Sequence, residues 1–241
     1  MNFKIILSIL SVWFCSNIWG DVKSEGFELL FKSDFFHNKE LNGWTDVHQK
    51  SPPNSEWYQV IDASDGESFL RTKEILFGIS HPLKREILID DSILEVKLTV
   101  TFRKPLPPKG WPVIIALSSS ETTAQDAGGP FWKGKDSGIM VVGRHYNLQE
   151  SNLISWQLEG ERVLMHPFRK PFNFLEAGKW TEWRLVYKHQ EKELLFFHDR
   201  NDEKPFLIQH NVNLSGSMLS SVWISAWSTE FKSVSVYCLQ K

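Results

Sequence analysis

The chain has 241 residues, of which 41% are hydrophobic, and it carries 27 basic and 29 acidic residues. That length fits one large β-domain or two small domains, and the hydrophobic share is enough to fill a core. The nearly balanced charge offers no basic surface of the kind that nucleic acid needs, so nucleic acid is excluded as an expected partner.

Residues 1–20 have the pattern of an export signal. Lys4 supplies a short basic start, Ile5 to Phe14 form an apolar core, and Ser16 to Gly20 can form a cleavage region. The apolar core is too short to span a bilayer as a stable helix, so we expect no membrane segment in the mature chain, residues 21–241. Cys15 raises the alternative of a lipoprotein anchor, but the bulky Trp13 and Phe14 before it disfavour that reading. The sequence therefore predicts a secreted or periplasmic protein.

The first half of the mature chain alternates short apolar runs with turns rich in Gly, Asp and Asn. Its clearest strand is 92–102, where Leu94, Val96, Leu98, Val100 and Phe102 share one face and polar residues share the other. A Pro-rich loop, 104–112, should lie outside any sheet because proline lacks the backbone donor. The other strands predicted in this half are 27–31, 56–61, 68–71, 75–79 and 113–118.

The second half opens with a long polar, Gly-rich loop, 119–136, and long irregular loops in compact domains are often functional. Strands are then predicted at 137–146, 153–158, 162–165, 206–209, 222–227 and 231–239, with 166–177 as an aromatic loop. The stretch 178–200 predicts an antiparallel hairpin, because Trp183, Leu185 and Tyr187 alternate with polar residues and a polar turn leads to the apolar run 194–197.

About a dozen short strands and no segment of helical period predict an all-β fold, a single antiparallel β-sandwich of the jelly-roll type. Once the signal is removed Cys238 is the only cysteine, which leaves no partner for an internal disulfide. It alternates with Val234 and Val236, so we expect it in the core. An exported chain without disulfides fits a bacterial periplasm or surface better than an animal secretory route.

Four short motifs resemble the concanavalin A-like lectin and glucanase superfamily, and within it the bacterial 3-keto-disaccharide hydrolase family and the laminin-G-like sandwiches. They cover nearly all of the mature chain and are carried by Leu30, Phe31, Gly43 and Trp44; by Trp57 and Gly66; by Ser137, Gly138, Ile139 and Arg144; and by Gly178 and Trp180. The resemblance implies a concanavalin A-like sandwich and a carbohydrate as ligand or substrate. The Glu-x-Asp-x-x-Glu strand of the related glucanases is absent, as is a clear equivalent of the acidic segment of the hydrolases.

The residues favoured for carbohydrate binding are aromatic or basic, because aromatic faces stack on sugar C–H groups and polar side chains bind hydroxyls. Trp132 lies in the Gly-rich loop and is the predicted stacking platform, with core packing as its alternative. Arg144 is the predicted polar clamp, with a structural ion pair as its alternative. The full set is Trp132, Arg144, Tyr146, Trp223 and Trp227, the last two lying four residues apart on one predicted strand.

Cleavage of a glycan would need two carboxylates at a defined separation. The candidates are Asp136, Glu159, Glu161 and Glu182, and each has a solvated surface acid as its alternative. The histidines show no metal-ligand spacing, so no transition metal is expected, and no cofactor is expected. Calcium is left open at Asp90–Asp91 and at 199–202, although neither forms a recognised oxygen-ligand loop.

Three functions follow as hypotheses. The first is an exported carbohydrate-binding sandwich. The second is a glycan-cleaving enzyme of the same fold, and the third is a structural or adhesion module at the cell surface. A cleft with two carboxylates about 5–10 Å apart would favour the enzyme, whereas an aromatic face without such a pair would favour binding.

Overall fold

The structure, a computed structural model, describes residues 26–35, 41–46, 53, 56, 58–62, 68–73, 78–104, 113–119, 137–143, 150–159, 162–165, 168–171, 178–226 and 228–241. In this part of the chain sixteen strands form two sheets of eight strands each, and every pairing between them is antiparallel. The predicted all-β antiparallel sandwich is confirmed. No helix in these ranges is long and apolar enough to cross a membrane.

One sheet, called sheet A, holds both the first and the last strand. Its members are β1 (Phe27–Asp34), β3 (Tyr58–Asp62), β4 (Ser68–Thr72), β6 (Ile93–Arg103), β12 (Thr181–Lys188), β13 (Glu193–Phe197), β14 (Leu207–Gln209) and β16 (Thr229–Gln240). Their order is β14-β13-β12-β6-β16-β4-β3, and β1 also pairs with β16. The predicted hairpin 178–200 is confirmed as β12 and β13, and β13 lies between β12 and β14.

The other sheet, called sheet B, carries the strand that resembles the Ser-Gly-Ile motif. Its members are β2 (Thr45–Asp46), β5 (Gly78–Leu88), β7 (Val113–Ser118), β8 (Gly138–Gly143), β9 (Glu150–Glu159), β10 (Arg162–Met165), β11 (Phe168–Pro171) and β15 (Met218–Ala226). Their order is β10-β9-β8-β7-β15-β5-β2, and β11 also pairs with β9. Both β7 and β8 are buried along their whole length, as expected for strands covered on both faces.

The inner faces of the two sheets enclose one hydrophobic core. Trp183 on β12 is fully buried in this core, and its ring meets those of Phe102 and Phe196 edge to face, with centroid distances of 4.8 and 5.2 Å. Phe31 and Trp44, from the first of the four motifs, also pack in the core, edge to face at 5.6 Å. Several motif residues that carry the resemblance therefore serve the packing of the sandwich.

Two elements differ from the sequence prediction. The strand expected at 75–79 is β5, which begins at Gly78 and runs to Leu88. Pro82 and the charged residues after it hid this strand, but Pro82 pairs with Ser221 next to an irregularity in the ladder, where β5 has extra residues between Pro82 and Ile87. The aromatic loop expected at 166–177 contains β11, which pairs with β9 over Phe168–Pro171. Its four residues show no alternation that local sequence reading would detect.

Cys238 lies in the core, as predicted, and is a free thiol. Burial raises the pKa of this thiol to about 11. Because the thiolate is the reactive form, we expect negligible labelling by a thiol reagent at pH 8 in the native state and complete labelling after denaturation. Labelling within minutes without denaturant would show that the final strand opens or has another register.

Lys104 follows β6 and is buried, with only 2% of its surface exposed. Burial lowers the pKa of its ammonium group from 10.5 to about 7. The unfolded chain therefore binds more protons than the folded chain between these two pH values, so the free energy of unfolding should rise with pH across this window. The contribution is roughly 1 kcal/mol per pH unit.

Replacing this lysine by methionine, Lys104→Met, should therefore stabilise the protein near pH 7 and remove that part of the pH slope. Urea midpoints at pH 7, 8.5 and 10 measure both effects, with Lys84→Met on the exposed side of β5 as the control. Equal pH slopes in the parent and in Lys104→Met would contradict this account of Lys104.

Candidate functional site

On the outer face of sheet B, the described side chains in three cross-strand rows of β5, β7, β8 and β15 are uncharged and surround one tryptophan. Every second residue of β7, β8 and β15 faces the core, among them Ile115, Ile139 and Val222. The residues between them therefore face outward. Cross-strand pairing sets these outward residues in three rows: Pro82, Ser221, Ser118 and Gly138; Ser80, Trp223, Ala116 and Met140; and Gly78, Ser225, Ile114 and Val142.

Four of the outward residues are serines, and we call them the serine floor: Ser80, Ser118, Ser221 and Ser225. All four are buried. The hydroxyls of Ser118 and Ser221 lie 3.1 Å apart and share a hydrogen bond.

Trp223 lies in the middle one of the three rows and is only 3% exposed. Its indole lies against Gly78, where an added Cβ atom would come within 2.4 Å of the indole Nε1 and 2.6 Å of the Ile224 carbonyl oxygen. The lack of a side chain at Gly78 therefore leaves the space that the indole occupies. The prediction of Trp223 as a carbohydrate-binding residue stays a prediction, and the structure adds that the side chain is buried on the outer face of sheet B.

The Gly-rich loop begins and ends at one hydrogen-bonded clamp on this sheet. The Ser119 N–H donates to the Ser137 carbonyl at 3.0 Å, and the Ser137 N–H donates to Ser119 Oγ at 2.9 Å. The Ser220 hydroxyl donates to the Ser119 carbonyl at 2.8 Å, which ties the clamp to β15. Loops whose ends are held close together are frequently functional. Trp132 lies within this loop and outside the described residues.

Arg144, Tyr146 and Trp227 also lie outside the described residues, but the strands that lead to two of them are described. Arg144 follows Gly143 at the end of β8, and Trp227 follows Ala226 at the end of β15. Gly143 and Ala226 both pair with Val113. Gly143 and Ala226, the residues directly before Arg144 and Trp227, therefore lie in one cross-strand row, two strand spacings or about 10 Å apart.

The clamp of the Gly-rich loop lies at the other end of β8, next to Gly138. Six residues of extended strand from Gly138 to Gly143 separate the two ends by roughly 17 Å. The structure therefore brings the starting points of Arg144 and Trp227 together and places the base of the Trp132 loop at the opposite end of the strand. The predictions of Trp132 as stacking platform and of Arg144 as polar clamp stay predictions.

The candidate carboxylates do not come together in the described residues. Glu182 lies on β12 in sheet A, where partial burial raises the pKa of its carboxyl group. Glu159 ends β9 in sheet B, and Asp136 and Glu161 lie outside the described residues. None of the described side chains in the three outer rows is a carboxylate. Within the described ranges no three His, Cys, Asp or Glu side chains are grouped so that they could hold a metal ion.

The comparisons with known proteins give fold relatives and no family. No protein-family model matches the sequence, and no curated protein matches it significantly. Among solved structures, a glycoside hydrolase family 16 endo-glucanase from Bacteroides ovatus matches with a TM-score of 0.54 and 11% identity, over 86% of this chain and 99% of its own.

A carbohydrate recognition domain and a lectin-like protein match with the same TM-score. The carbohydrate recognition domain of Emp46p has a TM-score of 0.54 and 17% identity, over 87% of this chain and 95% of its own. Arcelin-5, a lectin-like defence protein from Phaseolus vulgaris, has a TM-score of 0.54 and 10% identity, over 90% of this chain and 100% of its own. At these identities the likeness concerns the fold. The predicted architecture is confirmed: the chain is a concanavalin A-like β-sandwich.

Proposed function

We propose that this protein is an exported carbohydrate-binding protein whose ligand contacts the end of sheet B where β8 leads into Arg144 and β15 leads into Trp227. The observation that carries the proposal is the shared row of Gly143, Val113 and Ala226. A guanidinium group donates to sugar hydroxyls and an indole stacks on sugar C–H groups. Two such side chains that start about 10 Å apart can contact one sugar ring or two consecutive rings.

Trp132 belongs to the loop whose base lies at the other end of β8, roughly 17 Å away, so it would contact the far end of a longer glycan. Solved proteins with the same fold include a carbohydrate recognition domain and a glucanase, so this architecture accommodates glycans in other proteins.

Recognition without cleavage is favoured by the chemistry of the described rows. Two carboxylates flank the scissile bond in most glycoside hydrolases, whereas the described side chains of these rows are serines, apolar side chains and one indole. Glu182 lies in the other sheet from Glu159, so the two do not form such a pair on one sheet face.

Single substitutions at the proposed contacts should weaken binding of a neutral glycan. We expect Arg144→Ala, Trp227→Ala and Trp132→Ala each to lower affinity by roughly 5- to 150-fold, the equivalent of about 1–3 kcal/mol. Titration calorimetry on neutral oligosaccharides, chosen from a glycan panel, measures the loss. Arg85→Ala is the matched control, because Arg85 is an exposed arginine paired with Glu28 away from these positions.

The Arg144→Ala and Trp227→Ala changes should also be combined. Because the two residues start from one row, the double variant should lose less affinity than the sum of the two single losses. Full additivity would show that they do not contact one part of the ligand. If the parent binds no glycan of the panel, or releases reducing ends from one that it binds, the proposal of a binding protein fails.

Export rests on the basic and apolar pattern of residues 1–20. N-terminal sequencing of the protein recovered outside the cytoplasm should give a start near Asp21. An intact Met1 on that material would contradict the export proposal.

A further inference from the structure

The outer face of sheet A carries a second group of polar and aromatic side chains, which we call the arginine cluster: Phe69, Arg71, Arg103, Trp180 and Glu230. Arg71 on β4, Glu230 on β16 and Arg103 on β6 are direct cross-strand neighbours. The three residues are more than 30 positions apart along the chain, and the sheet register alone brings them together.

Glu230 holds both arginines by their inner nitrogens. One carboxylate oxygen accepts from Arg71 Nε at 3.0 Å and from Arg71 Nη2 at 2.6 Å, and the other accepts from Arg103 Nε at 2.5 Å. The Glu230 side chain is only 3% exposed, whereas those of Arg71 and Arg103 are 45% and 27% exposed. The carboxylate is thus an internal anchor, and the guanidinium groups extend from it toward solvent.

Two aromatic rings fix the planes of the guanidinium groups. The Arg103 Cζ atom lies 4.4 Å from the ring centroid of Trp180 and 5.2 Å from that of Phe69, and Arg71 Cζ lies 5.3 Å from Phe69. The rings of Phe69 and Trp180 meet edge to face at 6.2 Å. Stacking and ion pairing together hold each arginine in one orientation before any ligand arrives, which lowers the entropic cost of binding.

The outer edges of these guanidinium groups carry N–H donors that form no hydrogen bond within the described part of the chain. Neither Nη atom of Arg103 nor Nη1 of Arg71 makes a hydrogen bond to a described residue. Two arginines and one glutamate give the cluster a formal charge of about +1. The Lys232 Nζ atom adds a further positive charge 5.6 Å from the ring centroid of Trp180. Guanidinium edges match the paired oxygens of carboxylate and sulfate groups.

We propose that the arginine cluster is a second binding site, for a saccharide that carries carboxylate or sulfate groups. The anionic group accepts hydrogen bonds from the outer edges of Arg71 and Arg103, and the sugar ring packs on the half-buried Trp180. This site lies on the opposite outer face from the serine floor. It rests on the proposed function only in the choice of a saccharide as the carrier of the charge.

The test compares dextran, carboxymethyl-dextran and dextran sulfate, which share one neutral backbone, as ligands for the full chain. At low salt we expect binding of at least one of the charged polymers and at least tenfold weaker binding of dextran. Affinity should fall steeply as sodium chloride is added, because the contact is between exposed charges. Comparing the two charged polymers tells whether carboxylate or sulfate is preferred.

The decisive variant is the double change Arg71→Lys with Arg103→Lys, which keeps every charge and removes the guanidinium edges. We expect it to lose at least tenfold in affinity, while Arg85→Lys, a matched arginine that also pairs with a glutamate, binds as the parent does. If the double variant does not fold, Trp180→Leu should show a loss of similar size.

The proposal is overturned if neither charged polymer binds better than dextran, or if the folded variants at the cluster bind as the parent does. It is also overturned if Arg85→Lys loses as much affinity as they do. Because Arg144 and Trp227 are unchanged in all of these variants, binding of a neutral glycan should persist in them. Failure of the arginine cluster and failure of the proposed function are therefore separate results.

Discussion

Replacing Gly78 by alanine, Gly78→Ala, should destabilise the protein by about 3 kcal/mol, near the upper end for an overpacked site. The added Cβ would come within 2.4 Å of the Trp223 indole and 2.6 Å of the Ile224 carbonyl oxygen. The carbonyl belongs to the β15 backbone and cannot rotate away, so β5 and β15 must separate where Gly78 pairs with Ser225. In a domain of this size, thermal unfolding should shift down by roughly 6–12 °C.

Gly216→Ala is the matched control for this change. Gly216 has a φ of +80° and nothing lies within 4 Å of an added Cβ, so alanine there meets backbone strain without a clash. Its cost should be about 1 kcal/mol. If the two variants unfold at the same denaturant concentration, the close packing of Trp223 on Gly78 is not what makes glycine necessary at position 78.

Truncating Trp183 to alanine should cost about 3–5 kcal/mol, because the change removes a fully buried indole from the core and leaves a cavity. Trp183 is fully buried and touches Phe102 from the neighbouring β6 and Phe196 from β13. Trp183→Phe keeps an aromatic ring at this position and should cost roughly half as much. Equilibrium urea unfolding of both variants measures the difference.

The control for cavity size is Leu98→Ala, a smaller truncation at a fully buried position of β6. It should cost about 3 kcal/mol, less than Trp183→Ala and with the same denaturant dependence. A cost below about 1 kcal/mol for Trp183→Ala would contradict a core organised around the β12–β13 hairpin.

The sequence was sufficient for strands whose alternation is local. The strand at 92–102 and the hairpin at 178–200 could be predicted from their own residues. Apolar residues that face the core alternate there with more polar residues that face outward. β5 was missed beyond residue 79, since Pro82 reads as a strand breaker and is accommodated where the pairing of β5 with β15 is irregular. Tertiary pairing decided that element, and pairing is not visible in a local window.

The candidate sites were less predictable than the fold for the same reason. Ser118 and Ser221 are 103 positions apart, and small residues give no signal of their own until register places them side by side. Arg71 and Glu230 are 159 positions apart, so their ion pair could not be predicted from spacing. Gly143 and Ala226 are 83 positions apart and share the cross-strand partner Val113, a proximity that only the sheet register reveals.

The most direct test of the central claim is hydrogen–deuterium exchange of the full chain, with and without a saturating neutral glycan taken from the panel. We predict slower exchange in peptides that cover the start of β7 at Val113 and the ends of β8 and β15, together with the residues that follow Gly143 and Ala226. Exchange in β6 and β12 of sheet A should be unchanged. Protection confined to sheet A, or no protection at saturation, would contradict glycan recognition by sheet B.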